Sequence, residues 1–388
     1  MAKKLVGKAV SIVGVATFDN RKEYEAQRRE MTVLSHSILS GAVHAYGLAY
    51  PAPGVLPVDE AAVTALTVGP EGALYGVTSG KRAHLFWMPR PLMFGPLGVI
   101  EGVRQAAEGL AVDHESMLYG AARDKGGPLF RFDTTTGFLG LYRNRCGPIT
   151  LLPAPFRDDG VISLTISHDR KTLAGIGEKS GRLFIFSTKT GRTKRLKRAP
   201  SEGESFGRAL CAAADNHFYG SGADGRLFRL SVEGDIERLD AAVPCRAGKP
   251  YLARVDSFVR ARSGKLYGGS EEGYLFSFDP ANGALLNHGK GNDIPDLHAL
   301  AEGADGSIYG LTGRGEFIAH LVRFQPAHNE WADLGLFQSY GHYPWQGYQM
   351  RALTAGPEGR LYAGEHDRMG HVVIYYPPVE CVKAGAVV

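Results

Sequence analysis

Three features of the sequence predict an all-β protein folded as a closed ring of repeated sheets, a seven-bladed β-propeller with four antiparallel strands per blade. A triplet of apolar residue, tyrosine and glycine recurs in seven copies, five intact and two with one residue replaced by alanine, it returns every 42 to 55 residues, and each copy sits within the same order of strands and turns. Glycine accounts for 51 of the 388 residues, about 13%, nearly twice the usual share, as a chain of short strands and tight turns requires.

The copies read Leu-Tyr-Gly at 74–76 and 118–120, Leu-Ala-Gly at 173–175 and Phe-Tyr-Gly at 218–220. Leu-Tyr-Gly at 266–268, Ile-Tyr-Gly at 308–310 and Leu-Tyr-Ala at 361–363 complete the set. An alternating apolar run precedes each copy. It is followed by a turn such as Gly-Pro-Glu-Gly (69–72 and 356–359) or Ala-Asp-Gly (304–306). After a Gly-rich loop comes a third strand of the Leu-Phe-x-Phe type, at Leu129–Phe132, Leu183–Phe186, Leu227–Leu230 and Leu275–Phe278. Turns such as Asp-Pro-Ala-Asn-Gly (279–283) then lead to an outer strand. A β-sandwich would not require seven copies in one register.

Residues 61–380 are thus assigned to the propeller. Residues 1–60 are assigned to a closing strand, Val10–Phe18, with a decoration of helical character (Glu23–Ser37) and a Pro-rich connector (Tyr50–Pro57). Lys3 and Lys4 precede a mildly apolar stretch like that of a signal peptide, but Lys8 interrupts it. The expected location is cytoplasmic as the sequence stands, and secreted or periplasmic if a signal peptide has been removed.

Composition narrows the function. Lys and Arg number 44 against 40 Asp and Glu, a formal charge of +4, too near balance to suggest a phosphate-binding surface for nucleic acid. No apolar run approaches the roughly 18 residues of a membrane helix. Cys146, Cys211, Cys245 and Cys381 lie far apart and form no Cys-x-x-Cys pair.

In a propeller, the loop leading into the innermost strand and the loop between the second and third strands share one face. The residue just before the third-strand pair reads His84, Pro128, Arg182, Arg226, Tyr274, His320 and His371 through the seven units. Leading into the inner strands are Phe206-Gly-Arg208, Tyr251-x-x-Arg254 and Tyr348-x-x-Arg351, with His298 in unit six. Arg208, Arg254 and Arg351 are therefore expected around one funnel mouth, with the histidines and tyrosines just outside. A planar guanidinium donates two parallel hydrogen bonds to a carboxylate or sulfate, so the trio suits an anion. The alternative is that each arginine pairs with an acid of the next blade and holds the ring together. His84, His320 and His371 belong to units that adjoin on closure, which leaves a metal ion open, although no short ligand spacing supports one.

The insertion Gln338–Gln349 carries Tyr340, His342, Tyr343, Trp345 and Tyr348; it suits either sugar stacking or a plug sealing the last blade. Arg192–Arg198 (Arg-Thr-Lys-Arg-Leu-Lys-Arg) reads as a solvated outer strand, with adhesion to an acidic polymer as the second reading.

Tyr-Gly-x-Thr-Ser-Gly-x-x-Ala-His-Leu-Phe at 75–86 and Leu-Tyr-Ala-Gly-Glu-His-Asp-Arg-Met-Gly-His at 361–371 resemble blades of the seven-bladed propeller polysaccharide lyases. That group includes the ulvan lyases and rhamnose–glucuronate lyases, with related propeller rhamnosidases. The resemblance runs from about residue 60 to 378. It implies a His on a third strand, a partner His one strand earlier, a Tyr and an Arg acting in elimination at a uronate. His84 matches the third-strand His, whereas Thr64 stands near where the partner would fall. On this basis His84 and Tyr251 or Tyr348 are expected as proton carriers and Arg208, Arg254 and Arg351 as the carboxylate clamp. His298, His320, His371 and Trp345 are expected to contact the glycan. The expected function is a polysaccharide lyase that cleaves a uronic-acid glycan by β-elimination without a cofactor, its partner an anionic oligo- or polysaccharide. A non-catalytic scaffold or glycan-binding module, and a rhamnosidase-like glycosidase, are the alternatives.

Overall fold

A computed structural model describes residues 33–36, 42–49, 56–91, 93–135, 148–198, 206–249, 252–339 and 345–378. They form seven antiparallel blades, six of four strands and one of five, and a separate two-stranded pair, Gln338–Ser339 with Trp345–Gln346. Each Tyr-Gly triplet lies on the second strand of a blade, counted outward from the axis: Leu74–Ser79, Met117–Ala121, Thr172–Gly177, Phe218–Ser221, Leu266–Ser270, Ile308–Thr312 and Leu361–Glu365. The innermost strands are Ala62–Val68, Ala111–Val112, Val161–Ile166, Cys211–Ala212, Val255–Arg260, Ala299–Glu302 and Met350–Ala355.

The triplet is a packing device. The glycine lies opposite an aromatic residue of the third strand, Gly76 against Phe86 and Gly268 against Phe276. A Cβ on Gly268 would stand 2.2 Å from the Phe276 ring, so only glycine admits that ring. Blades six and seven show the converse. There the facing residue shrinks to Val322 or Val373, and blade seven accepts Ala363 in place of glycine.

The tyrosine reaches sideways. Tyr119 packs on Phe186 of the next blade with ring centroids 6.0 Å apart, Tyr219 on Phe278 at 5.4 Å and Tyr309 on Tyr375 at 5.9 Å. Its hydroxyl is satisfied at the turn four residues earlier: Tyr75 donates to Glu71 at 2.5 Å and Tyr219 to Asp215 at 2.7 Å. The core therefore lies between blades. One cluster joins Tyr75, Leu85 and Leu97 of blade one to Leu118, Phe130 and Phe132 of blade two.

Closure differs from the sequence expectation. Ala42–Gly47, within the segment assigned to decoration, pairs antiparallel with His371–Tyr376 and becomes the fourth strand of blade seven. Val33–His36, placed in the helical stretch, adds a fifth strand outside it. Val43 and Ala45 alternate inward into the core, which explains why this segment serves as a strand. Val10–Phe18, the expected closing strand, lies outside the described residues. The basic run is, as read, an outer strand, Thr193–Arg198 of blade three. No helix among the described residues is long and apolar enough to cross a membrane.

The Gly268→Ala variant should lose about 1–3 kcal/mol of stability by overpacking against Phe276, measured by urea unfolding. Combined with Phe276→Val, the pair found in blade seven, the loss should be clearly less than the sum of the two single losses.

Candidate functional site

The inner strands converge on the axis, and one position of each meets its six counterparts there. Thr64, Glu108, Ser163, Arg208, Asp256, His298 and Arg351 line a cavity of about 220 Å³ at one mouth of the channel. Each stands eleven residues before the middle position of its triplet, in all seven blades. Seven chemically different side chains are thus brought to one level by a single register. The face holding this mouth carries the loops leading into the inner strands and those between second and third strands; we call it the front face.

The backbone fixes these positions by bonds between blades. Glu108 donates its N–H to Ile162 O at 2.7 Å, and Arg208 donates to Val255 O at 2.8 Å. Gly109, next to Glu108, has φ +134°, and a Cβ there would meet Leu164 O at 2.2 Å. Blades two and three approach this closely only because Gly109 is a glycine.

A second layer comes from the loops after the second strands. Arg123 bonds Glu178 at 2.7 Å and stands 3.7 Å from Glu108. Arg254 is paired with Glu271. Arg314, its side chain 18% exposed, approaches Asp256 at 3.9 Å, and Arg351 approaches Glu108 at 4.0 Å. These are loose pairings. Of twelve buried side-chain polar atoms without a hydrogen-bond partner among the described residues, nine belong to this cavity or its adjoining pairs. They are the Nε of Arg208, Arg254, Arg314 and Arg351, both oxygens of Asp256, one oxygen each of Glu108 and Glu271, and the Ser163 hydroxyl. Buried polar groups are almost always bonded. Their concentration here marks a site built for a polar ligand rather than for self-satisfaction.

Burial and mutual charge divide the titrating groups. Burial works to raise the Glu108 carboxyl, yet Arg314, Arg208, Arg351 and Arg123 hold it below the usual glutamate range. Burial lowers Arg351 to about 10, with repulsion from Arg314, Arg123 and Arg208 adding to it, so it stays charged at neutral pH. Asp296 is pushed up to about 6 by burial and by the charge of Asp256. Glu271 is raised by burial and by Asp256. His366 falls to about 4, first through burial and then through Arg351. Its Nδ1 lies 3.2 Å from Val63 O and 3.5 Å from the Thr64 hydroxyl. Nδ1–H donates to that carbonyl, which leaves the Nε2 lone pair as the basic site.

The structure brings together only part of the expected set. Arg208, Arg351 and His298 line the cavity, and Arg254 stands beside it as the partner of Glu271. Both ring nitrogens of His298 face carbonyls, Asp296 O at 2.9 Å and Met350 O at 2.5 Å, so it braces the backbone. The other histidines do not ring the mouth as expected. His84 is buried with Nε2 2.6 Å from Glu60, His371 is buried against Glu365, and His320 bonds Asp333 at 2.9 Å. Their place in the repeat sets them on the third strands, two strands further out than the ring. Trp345 packs on His371 with ring centroids 4.6 Å apart, which favours the plug over the sugar platform for that residue. Tyr348 lies at the rim, 41% exposed, and does not line the cavity. Tyr251 lies outside the described residues. No group of three or more His, Cys, Asp or Glu among the described residues is placed to hold a metal ion.

Glu108, Asp296, Arg314 and His366 are absent from the sequence expectation. The constant offset of eleven residues identifies Glu108, and shows that Asp256 is in register while Arg254 is two positions out of it. The position four or five residues after the triplet's middle identifies Arg314 and His366.

No family model matches the sequence, and no curated protein matches it significantly. Solved structures match in fold. A streptogramin B lyase aligns over 87% of this chain and 98% of its own, with TM-score 0.66 and 11% identity. Virginiamycin B lyase from Staphylococcus aureus aligns over 87% and 99%, with TM-score 0.64 and 11% identity. The extracellular domain of a putative hybrid two-component system from Bacteroides thetaiotaomicron aligns over 84% of this chain and 39% of its own, with TM-score 0.60 and 13% identity. At such identities the likeness is one of fold.

The raised Asp296 has a measurable consequence. The folded state binds its proton more tightly than the unfolded state, so Asp296 costs stability as pH rises from about 4 through 6. The Asp296→Asn variant should therefore gain melting temperature relative to the parent across that interval. The gain should reach about 2–4 °C by pH 7 in thermal scans.

Proposed function

We propose that the front-face cavity binds the carboxylate of a uronate residue in an acidic glycan, and that the protein cleaves the neighbouring glycosidic bond by β-elimination. The observation that carries this reading is the ring of inner-strand residues, whose arginine Nε–H donors are buried without protein partners beside a base and an acid of separated proton affinity.

The chemistry follows from the groups. Arg351, Arg208 and Arg314 neutralise the uronate carboxylate, which makes the proton on the adjacent C5 removable because charge builds up there as it leaves. His366, neutral at physiological pH, takes that proton on Nε2. The C5–H electron pair becomes the C4–C5 double bond, the C4–O bond breaks, and Asp296 gives its proton to the departing oxygen. Asp296 is suited to this because Asp256 and burial keep a proton on it to higher pH than an ordinary aspartate. These roles replace those that the lyase resemblance implies for His84, which is committed to Glu60.

A scaffold would present a flat apolar or charged rim, whereas this mouth is concave and polar. Hydrolysis through flanking carboxylates needs two acids held roughly 5 Å or more apart. Asp256 and Asp296 instead interact strongly enough that the charge of one raises the other. Proteins of similar fold include ones named as lyases, though fold alone carries no activity.

Incubation with a panel of uronate-containing glycans should produce the ultraviolet absorbance of an unsaturated uronate. Reducing sugar without that absorbance would identify a glycosidase, and silence with no calorimetric binding would favour the scaffold. Arg351→Ala should weaken glycan binding by about 2–5 kcal/mol. His366→Ala should abolish turnover with binding largely kept.

A further inference from the structure

Among the described residues five large apolar side chains are exposed: Val58, Leu151, Leu286, Phe317 and Tyr348. Leu151 and Leu286 belong to outer strands. The two aromatics are both on the front face, each 41% exposed, and the backbone sets their loops side by side. Ala319 N–H donates to Tyr348 O at 3.1 Å, and Gln349 Nε2 donates to Gly315 O at 2.8 Å.

Both aromatics are tied to the cavity. Phe317 N–H bonds Arg314 O at 3.3 Å, and Tyr348 precedes Arg351 by three residues. Gly313 and Gly315, at φ +91° and +67°, flank Arg314 and turn the loop sharply on both sides of it. That loop sets the Arg314 guanidinium 3.9 Å from Asp256 at the cavity while leaving an aromatic side chain in solvent three residues later. His366, through its N–H to Gln349 O at 2.6 Å, closes the same short circuit on the other side. Single exposed apolar residues need no explanation. Two exposed aromatic residues on adjoining loops, beside a cavity rich in arginine, form a patch of the kind that marks an interaction site.

We propose that Phe317 and Tyr348 form a stacking platform for the sugar ring next to the one in the cavity, so that the protein selects an acidic oligosaccharide over a free uronic acid. This rests on the uronate reading of the cavity. The C–H face of a pyranose is apolar and lies flat on an aromatic ring, while its hydroxyls remain in water. Continuity with the arginines places one sugar on the platform when its neighbour's carboxylate is clamped. The Tyr348 side chain acts through its ring face, so the phenol hydroxyl is dispensable.

The test is calorimetric titration of glucuronic acid and of a glucuronate-containing tetrasaccharide into the parent protein and the variants Phe317→Ala/Tyr348→Ala, Tyr348→Phe and Arg351→Ala. The parent should bind the tetrasaccharide at least about tenfold tighter than the monosaccharide. The double variant should erase that advantage with monosaccharide affinity unchanged, and Tyr348→Phe should keep it. The platform is overturned if the double variant binds the tetrasaccharide as the parent does, even where Arg351→Ala abolishes monosaccharide binding and the uronate reading stands. It is equally overturned if the double variant alters only oligomeric state, measured by sedimentation. Tetrasaccharide binding that is lost in the double variant but indifferent to Arg351→Ala supports the platform and sinks the uronate reading. A parent that binds neither probe sinks both.

Discussion

Closure of the ring is the constraint on which everything else in this protein depends. Seven sheets can meet around one axis only if each presents the same face to its neighbour at the same height. The interlock that sets this height is the second-strand tyrosine, which leaves its own blade and packs on an aromatic residue of the next. The glycine that follows it lets the third-strand ring lie flat within the blade. One triplet therefore specifies packing within a blade and between blades. Its seven repetitions, with Ala42–Gly47 pairing back to His371–Tyr376, make the ring a closed structure in which inner and outer positions are not interchangeable.

That constraint builds the cavity as a by-product. Because the number of residues between ring position and triplet centre is the same in every blade, whatever residue stands eleven places before that centre is delivered to the axis. The fold dictates only the position and leaves the chemistry free. Thr64, Glu108, Ser163, Arg208, Asp256, His298 and Arg351 share no property beyond polarity, yet they occupy one level. A scaffold indifferent to side-chain type at one ring of positions can change what it binds without repacking its core.

The charge arrangement shows what such convergence costs and what it produces. Several guanidinium groups at one mouth repel one another and lose hydration, which lowers the proton affinity of Arg208 and Arg351. Glu108, its side chain 18% exposed, offsets part of this, and four arginines hold its carboxyl below the usual glutamate range. Across the mouth the acids Asp256, Asp296 and Glu271 crowd together, and burial with mutual repulsion raises the latter two. The result is a positive side next to a group of crowded acids whose proton affinity is raised, with a neutral imidazole between blade seven and blade one. Such separation cannot be assembled from a single blade, because each blade supplies only one or two of the groups.

The sequence by itself determined the architecture: seven units, their second and third strands, the basic outer strand of blade three and the face on which Arg208, His298 and Arg351 meet. These were legible because turn residues and strand alternation act locally, and because repetition makes a weak local signal unmistakable. The tertiary structure alone decided the rest. Ala42–Gly47 became the closing strand because its partner lies more than 300 residues away, and a short segment carries no local mark of a distant pairing. His84 and His371 share a repeat position that looks functional in the sequence, but neighbouring carboxylates claim both rings once the chain folds. Arg314 and His366 stand five and four residues past the triplet's centre, an offset that does not tell which groups they meet, and only closure of the ring brings them to the mouth. Proton affinities at Asp296 and His366 depend on burial and on charges from other blades, so they exist only after those blades have come together.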